Sequence, residues 1–161
     1  MQFFSDLWAN VPLRCAAVSW LTAQAIKVLI TLWLKRKWDW RRWFGMGGMP
    51  SSHSAFVFSL MLCIGIKEGV STASFALAFA LAAVVIYDAM GVRAETGKQG
   101  AVLNEILRRV LVEGQPITED TLKELVGHTP LEVLGGICVG LIITLILAET
   151  ANAATYIIQE E

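Results

Sequence analysis

The sequence predicts an all-α integral membrane protein, a bundle of about four transmembrane helices with a short helical cytoplasmic arm. Three observations predict it. The 161-residue chain is 55% hydrophobic and only 17% charged, with a mean hydropathy of +0.58, whereas soluble domains carry about 25% charged residues. Its apolar residues gather into long runs. Its cations gather between those runs instead of spreading along the chain. The length suits one membrane domain, residues 1–161, with the helical arm at about 92–128. A formal net charge of −1 gives no basic field for nucleic acid, and none is expected as a partner.

A spanning helix needs about 20 mostly apolar residues. Met1–Asn10 lacks the basic start of a cleavable signal peptide. Leu13–Leu34 fits a first span, interrupted by Gln24 and Lys27. Ser54–Ile66 is apolar but short, and spans only if its polar N-terminal turn is buried in protein. Val70–Met90 fits a third span, with Asp88 near its end. Val133–Ala148 fits a fourth if it continues into the Ala-rich tail toward Ile158. Cys15, Cys63 and Cys138 fall inside apolar stretches without metal-ligand spacing, and are expected to pack as small apolar residues.

The cations set the orientation. Lys35, Arg36, Lys37, Arg41 and Arg42 follow the first span, and Arg93, Lys98, Arg108, Arg109 and Lys123 lie between the third and fourth. In a four-span topology these share one side, and only Arg14 and Lys67 fall on the other. The positive-inside rule then puts the Lys35–Ser52 loop and the Gly91–Thr129 arm in the cytoplasm, with both termini outside. Gly45–Gly48 marks a loop. Within the arm, Ala101–Val112 has apolar residues at helical spacing with Arg108 and Arg109 opposite. Thr118-Glu119-Asp120 opens a second helix that Gly127 can end.

Both histidines stand at the mouths of apolar helices: His53 in Gly47-Gly48-Met49-Pro50-Ser51-Ser52-His53-Ser54-Ala55, and His128 in Gly127-His128-Thr129-Pro130-Leu131-Glu132-Val133. A helix start presents unpaired N–H groups and the positive end of the helix dipole, so it favours anions. Two such starts, each with an imidazole, form a plausible phosphate site without a metal. Ser51, Ser52 and Ser54 suit helix capping and phosphate contact alike. Thr129-Pro130-Leu131-Glu132 reads as a capping box with proline at the first helical position. Glu132 also lies four residues after His128, within reach of its ring.

Lys27 is a charged residue deep in a span, expensive unless it faces a partner or a polar cavity. Snorkelling is the plain alternative, but the basic cluster is about 10 Å away along the helix. Gln24 shares its face. Asp88 reads either as a partner of Lys27 or Arg93 or as a solvated interfacial carboxylate. Gly136-Ile137-Cys138-Val139-Gly140 has the GxxxG spacing of close helix contact, which serves either a homodimer or packing within one chain.

Taken in order, Ala-Gln-Ala-Ile-Lys (23–27), the His53 segment (47–55), Tyr-Asp-Ala-Met-Gly-Val-Arg (87–93), Leu-Asn-Glu-Ile (103–106) and Leu-Lys-Glu-Leu-Val-Gly-His-Thr-Pro-Leu-Glu-Val (122–133) resemble the divergent branch of the type 2 phosphatidic acid phosphatase and vanadium haloperoxidase superfamily. These are small bacterial and plastid membrane proteins, and the resemblance covers most of the chain. Pro50-Ser51-Ser52-His53 resembles the wider superfamily's Pro-Ser-Gly-His, and His128 with Glu132 resembles its His-x-x-x-Asp. Lys35 and Arg42 have the spacing of its Lys-x6-Arg-Pro, with Trp43 in place of the proline. Leu122 stands where its third motif has arginine.

The resemblance implies a metal-independent, acid-phosphatase-like hydrolase acting on a lipid phosphate monoester or diphosphate, in a bacterial inner (plasma) membrane with the site facing the cytoplasm. In that reading His128 attacks phosphorus, Glu132 supports His128, and His53 protonates the leaving oxygen. Lys27, Arg93 and Lys123 neutralise the phosphate with help from Ser51 and Ser52, while Asp88 and Gln24 support the site. No cofactor or metal is implied, and the expected partners are the substrate and the bilayer. Two other classes stay open: a non-catalytic phospholipid or phosphate binder, and a small transporter or assembly factor built on Lys27 and Asp88.

Overall fold

A computed structural model describes residues 2–36, 48–91, 99–100, 103, 107 and 128–159, with side chains described as far as 149. All elements in these residues are helical: α1 Gln2–Ala9, α2 Val11–Lys35, α3 Ser52–Glu68, α4 Ala73–Met90 and α5 Pro130–Gln159. Three of them contain stretches long and apolar enough to cross a membrane, Val11–Leu34, Ala73–Met90 and Pro130–Glu149, with mean hydropathies of 1.6, 1.9 and 2.5. The 17-residue α3 is about 26 Å long by helical rise, short of the ~30 Å hydrocarbon thickness.

Local signals set the helix ends. Asn10 caps α2, its side chain accepting from the Leu13 N–H at 3.0 Å, with a proline in the first turn. At the other end Arg36 takes a left-handed φ of 49° and its N–H donates to the Leu32 carbonyl. Thr72 caps α4 by accepting from Phe75 N–H, which is why that helix starts three residues later than the apolar run from Val70. α1 carries Phe4, Leu7 and Trp8 on one exposed stripe. The i, i+3, i+4 spacing of those residues is a helical signal that the sequence reading did not use.

α3 is the hub. It packs on α2, α4 and α5, whereas the described backbones of α2 and α4 stay apart. From Ser52 through Gly65 none of its residues is exposed. Its first turn is closed off, with Ser51, Ser52 and Ser54 all buried, the condition under which a short helix at membrane depth is tolerable.

The packing inverts that of a soluble bundle. Much of the interior is built from small residues: Ala16, Ser19, Ala23, Ala55, Ser59 and Cys63 are buried, and among the described residues Thr144 is the largest side chain that is fully buried. Leu77, Val84, Leu134 and Ile142 face outward. Exposed apolar surface on this scale suits lipid as the solvent, and small contacts let helices approach where the hydrophobic effect cannot drive them together.

The α3–α5 seam shows this most clearly. Gly136, Gly140 and Thr144 on α5 meet Ser51, Ala55 and Ser59 on α3. A Cβ at Gly136 would collide with the Ser51 carbonyl oxygen, and one at Gly140 would lie 2.8 Å from that of Ala55. One turn on, the Ser59 and Thr144 hydroxyls hydrogen-bond at 2.6 Å. The GxxxG segment is thus used within one chain. Of the cysteines, Cys15 and Cys63 are buried, while Cys138 is exposed on the outer face of α5.

Candidate functional site

The two helix starts that the sequence singled out come together. The chain enters α3 through Gly48, whose φ of 85° favours glycine. Ser51 caps α3, its hydroxyl accepting from Ser54 N–H at 3.3 Å and from Ser54 Oγ at 3.0 Å. The Ser51 N–H donates to the Glu132 carbonyl at 2.8 Å, so the start of α3 is held on the first turn of α5. Ser52, at the first helical position, has no acceptor within its own helix.

His128 is fixed from three directions. Its N–H donates to the Ala89 carbonyl in the last turn of α4 at 3.0 Å. Its ring Nδ1 lies 2.8 Å from Glu132 Oε2. The following Thr129 and Glu132 close the predicted capping box: Thr129 Oγ1 accepts from Glu132 N–H, and Glu132 Oε2 accepts from Thr129 N–H, both at 3.3 Å. Capping and histidine contact are therefore both performed by one carboxylate. Since a carboxylate accepts, Nδ1 of His128 carries the proton and Nε2 is left for chemistry. The residue is 4% exposed.

His53 lies half-buried on the first turn of α3. Its ring centroid is 6.4 Å from that of His128, and the two planes are tilted by 55°. An apolar cavity of about 240 Å³ adjoins it, lined by Trp20, His53, Phe56, Val57 and Val85. No sequence signal pointed to that cavity, because its walls come from three helices.

Lys27 is 3% exposed and Gln24 4%, so neither reaches the surface. Cys15 and Cys63 meet where α2 packs on α3, and as many residues separate Cys15 from Lys27 as separate Cys63 from Ser51. In antiparallel helices this register puts Lys27 level with the start of α3. Asp88 is half-buried in the last turn of α4, next to the Ala89 carbonyl that holds His128. Arg93, Lys123 and nearly all of the predicted arm lie outside the described residues; Leu103 and Leu107, which belong to it, are helical and exposed. Among the described residues, no three His, Cys, Asp or Glu side chains converge on a metal-sized site.

Residues 8–143 match the family described as the divergent PAP2 family. The chain belongs to that family. It is 36% identical over 153 residues to "Uncharacterized membrane protein YuiD" of Bacillus subtilis (strain 168), an alignment covering 89% of this chain and 97% of the relative. No solved structure matches the chain. Family and apolar helices together make it a membrane protein.

Proposed function

We propose that the protein hydrolyses a phosphate monoester or diphosphate of a membrane lipid through a phosphohistidine on His128. One observation carries the reading: two imidazoles from separate helix starts lie 6.4 Å apart, one with its Nδ1 on a carboxylate. In-line transfer needs reacting atoms about 3–3.5 Å apart on each side of phosphorus, a span of the same size as that between the rings.

In this mechanism Nε2 of His128 attacks phosphorus and the P–O bond to the lipid breaks. The leaving oxygen takes a proton from His53. Water then attacks the phosphohistidine, giving its proton to His53 and releasing phosphate from Nε2. Glu132 holds the tautomer and stabilises positive charge on the ring. Lys27, together with Arg93 and Lys123, neutralises the phosphate oxygens, and the Ser51–Ser52 helix start adds dipole and N–H donors. Gln24 and Asp88 line the approach. α3 serves as the fourth, shortened span, both basic segments face the cytoplasm, and the site opens on the cytoplasmic side of the plasma membrane.

The test is rapid-quench trapping with a phosphate-labelled lipid substrate in the presence of EDTA. An acid-labile, alkali-stable phosphoenzyme accompanying phosphate release is the expected result. Turnover that disappears in EDTA and returns with magnesium would overturn the mechanism, as would binding without any phosphoenzyme.

A further inference from the structure

The cavity beside His53 lies in the gap that α2 and α4 leave open over α3. Trp20 stands on the α2 side and Val85 on the α4 side, while Phe56 and Val57 form the floor. Phe56 and Val57 follow His53 by three and four residues, so the floor continues one turn deeper along the same face of α3. Both flanking helices pack on α3 while their backbones stay apart, and α4 turns Leu77, Leu81 and Val84 outward. The gap is therefore a window through which a chain can pass from the bilayer to His53.

Resting on the hydrolase reading above, we propose that this groove seats the single hydrocarbon chain of a lipid phosphate, carried directly on the phosphate oxygen. Three features select that ligand. The first is direction: the groove is lined by His53 and not by His128. In-line displacement puts the leaving group opposite the nucleophile, so the leaving chain belongs on the side of the general acid, where the groove is. The second is polarity. Apart from His53, the indole N–H of Trp20 is the polar group among the lining side chains. A glycerolipid would bring ester carbonyls next to its phosphate, and buried carbonyls without donors are costly. A chain attached directly to the phosphate oxygen brings none. The third is size. A cavity of about 240 Å³ is smaller than the ~300–1,000 Å³ of pockets that enclose drug-sized ligands, and suits one chain.

The probe is an alkyl phosphate bearing a diazirine on its chain, photolysed with the protein in lipid nanodiscs and mapped by peptide mass spectrometry. Labels are expected on Trp20, Phe56, Val57 and Val85. Compared at equal mole fraction in the nanodisc, non-photoreactive alkyl phosphates should compete more strongly as the chain lengthens only until the groove is full. Phosphatidate should compete poorly. Val85→Phe, at a half-exposed position, should shift the plateau to shorter chains, and Trp20→Ala should shift it to longer ones. Labels scattered over the outer faces of α4 and α5, or equal competition by phosphatidate, would overturn the proposal. Labelling does not require turnover, so the two readings fail separately. Groove labels without phosphohistidine would defeat the hydrolase reading alone, and phosphohistidine without groove labels would defeat this one.

Discussion

The imidazoles of His53 and His128 face one another with centroids 6.4 Å apart, yet their surroundings differ. His128 is almost fully buried, with a carboxylate on Nδ1. His53 is half-buried and borders an apolar cavity. The proposed mechanism uses that asymmetry, with the first as nucleophile and the second as general acid, and it has consequences for variants.

His128→Ala should abolish phosphoenzyme formation with every substrate. His53→Ala should lose about 10²–10⁴-fold with a lipid alkoxide leaving group and much less with an aryl phosphate, whose leaving oxygen needs little protonation. Quenched-flow trapping with one alkyl and one aryl substrate makes the comparison. A phosphoenzyme that persists in His128→Ala and vanishes in His53→Ala would reverse the roles.

Glu132→Gln keeps an acceptor for His128 and Thr129 but removes the charge. Charged hydrogen bonds contribute roughly 1 kcal/mol more than neutral ones, so turnover should fall about fivefold with little change in melting temperature. Glu132→Ala should also lose the helix cap, at a cost of about 0.5–2 kcal/mol. Rates and thermal unfolding of the two variants separate charge from capping; equal stability in both would show that the cap contributes nothing.

Lys27→Met should eliminate turnover while the protein still inserts and folds, because methionine keeps most of the length and the apolar stem of the buried side chain. Gel filtration and phosphate release report the two properties. Full activity in this variant would move the phosphate clamp to Arg93 and Lys123.

Gly136→Ala should push α5 off the Ser51 carbonyl. Overpacking typically costs about 1–3 kcal/mol, and here the displaced helix carries Glu132, whose carboxylate holds the His128 ring. Both thermal stability and turnover should drop, and Thr144→Val should lose stability by only about 0.6 kcal/mol, the usual strength of one hydroxyl contact between membrane helices. A fully active, fully stable Gly136→Ala protein would contradict the packing described.

Single cysteines at Gln2 and Gln115 test the orientation. An impermeant thiol reagent applied to intact cells should label Gln2→Cys and spare Gln115→Cys. The opposite pattern would invert the topology.

Much of this architecture was legible because membrane helices write themselves as runs. Leu13–Leu34 and Val133–Ala148 were found inside the observed α2 and α5, and only the ends moved, where Asn10 caps one helix and Pro130 opens the other. Thr129 and Glu132 announced their capping box by spacing alone. The burial of Ser51, Ser52 and Ser54 could be named in advance only as a condition, because it depends on three other helices surrounding α3. The pairing of His53 with His128 was suggested by their like contexts, while its distance required the Ser51–Glu132 hydrogen bond. The cavity between Trp20 and Val85 was invisible: it exists because α2 and α4 stay apart, and no local pattern encodes a gap.

The Ser51 N–H is held by the backbone of Glu132, a residue of a helix synthesised after α2, α3 and α4. Until that helix arrives, the first turn of α3 lacks its eventual hydrogen-bond partner and His128 lacks the carboxylate on its Nδ1. A chain that stops before Pro130 would carry both imidazoles but not Glu132, so the Ser51 N–H would lack its acceptor and His128 Nδ1 its carboxylate.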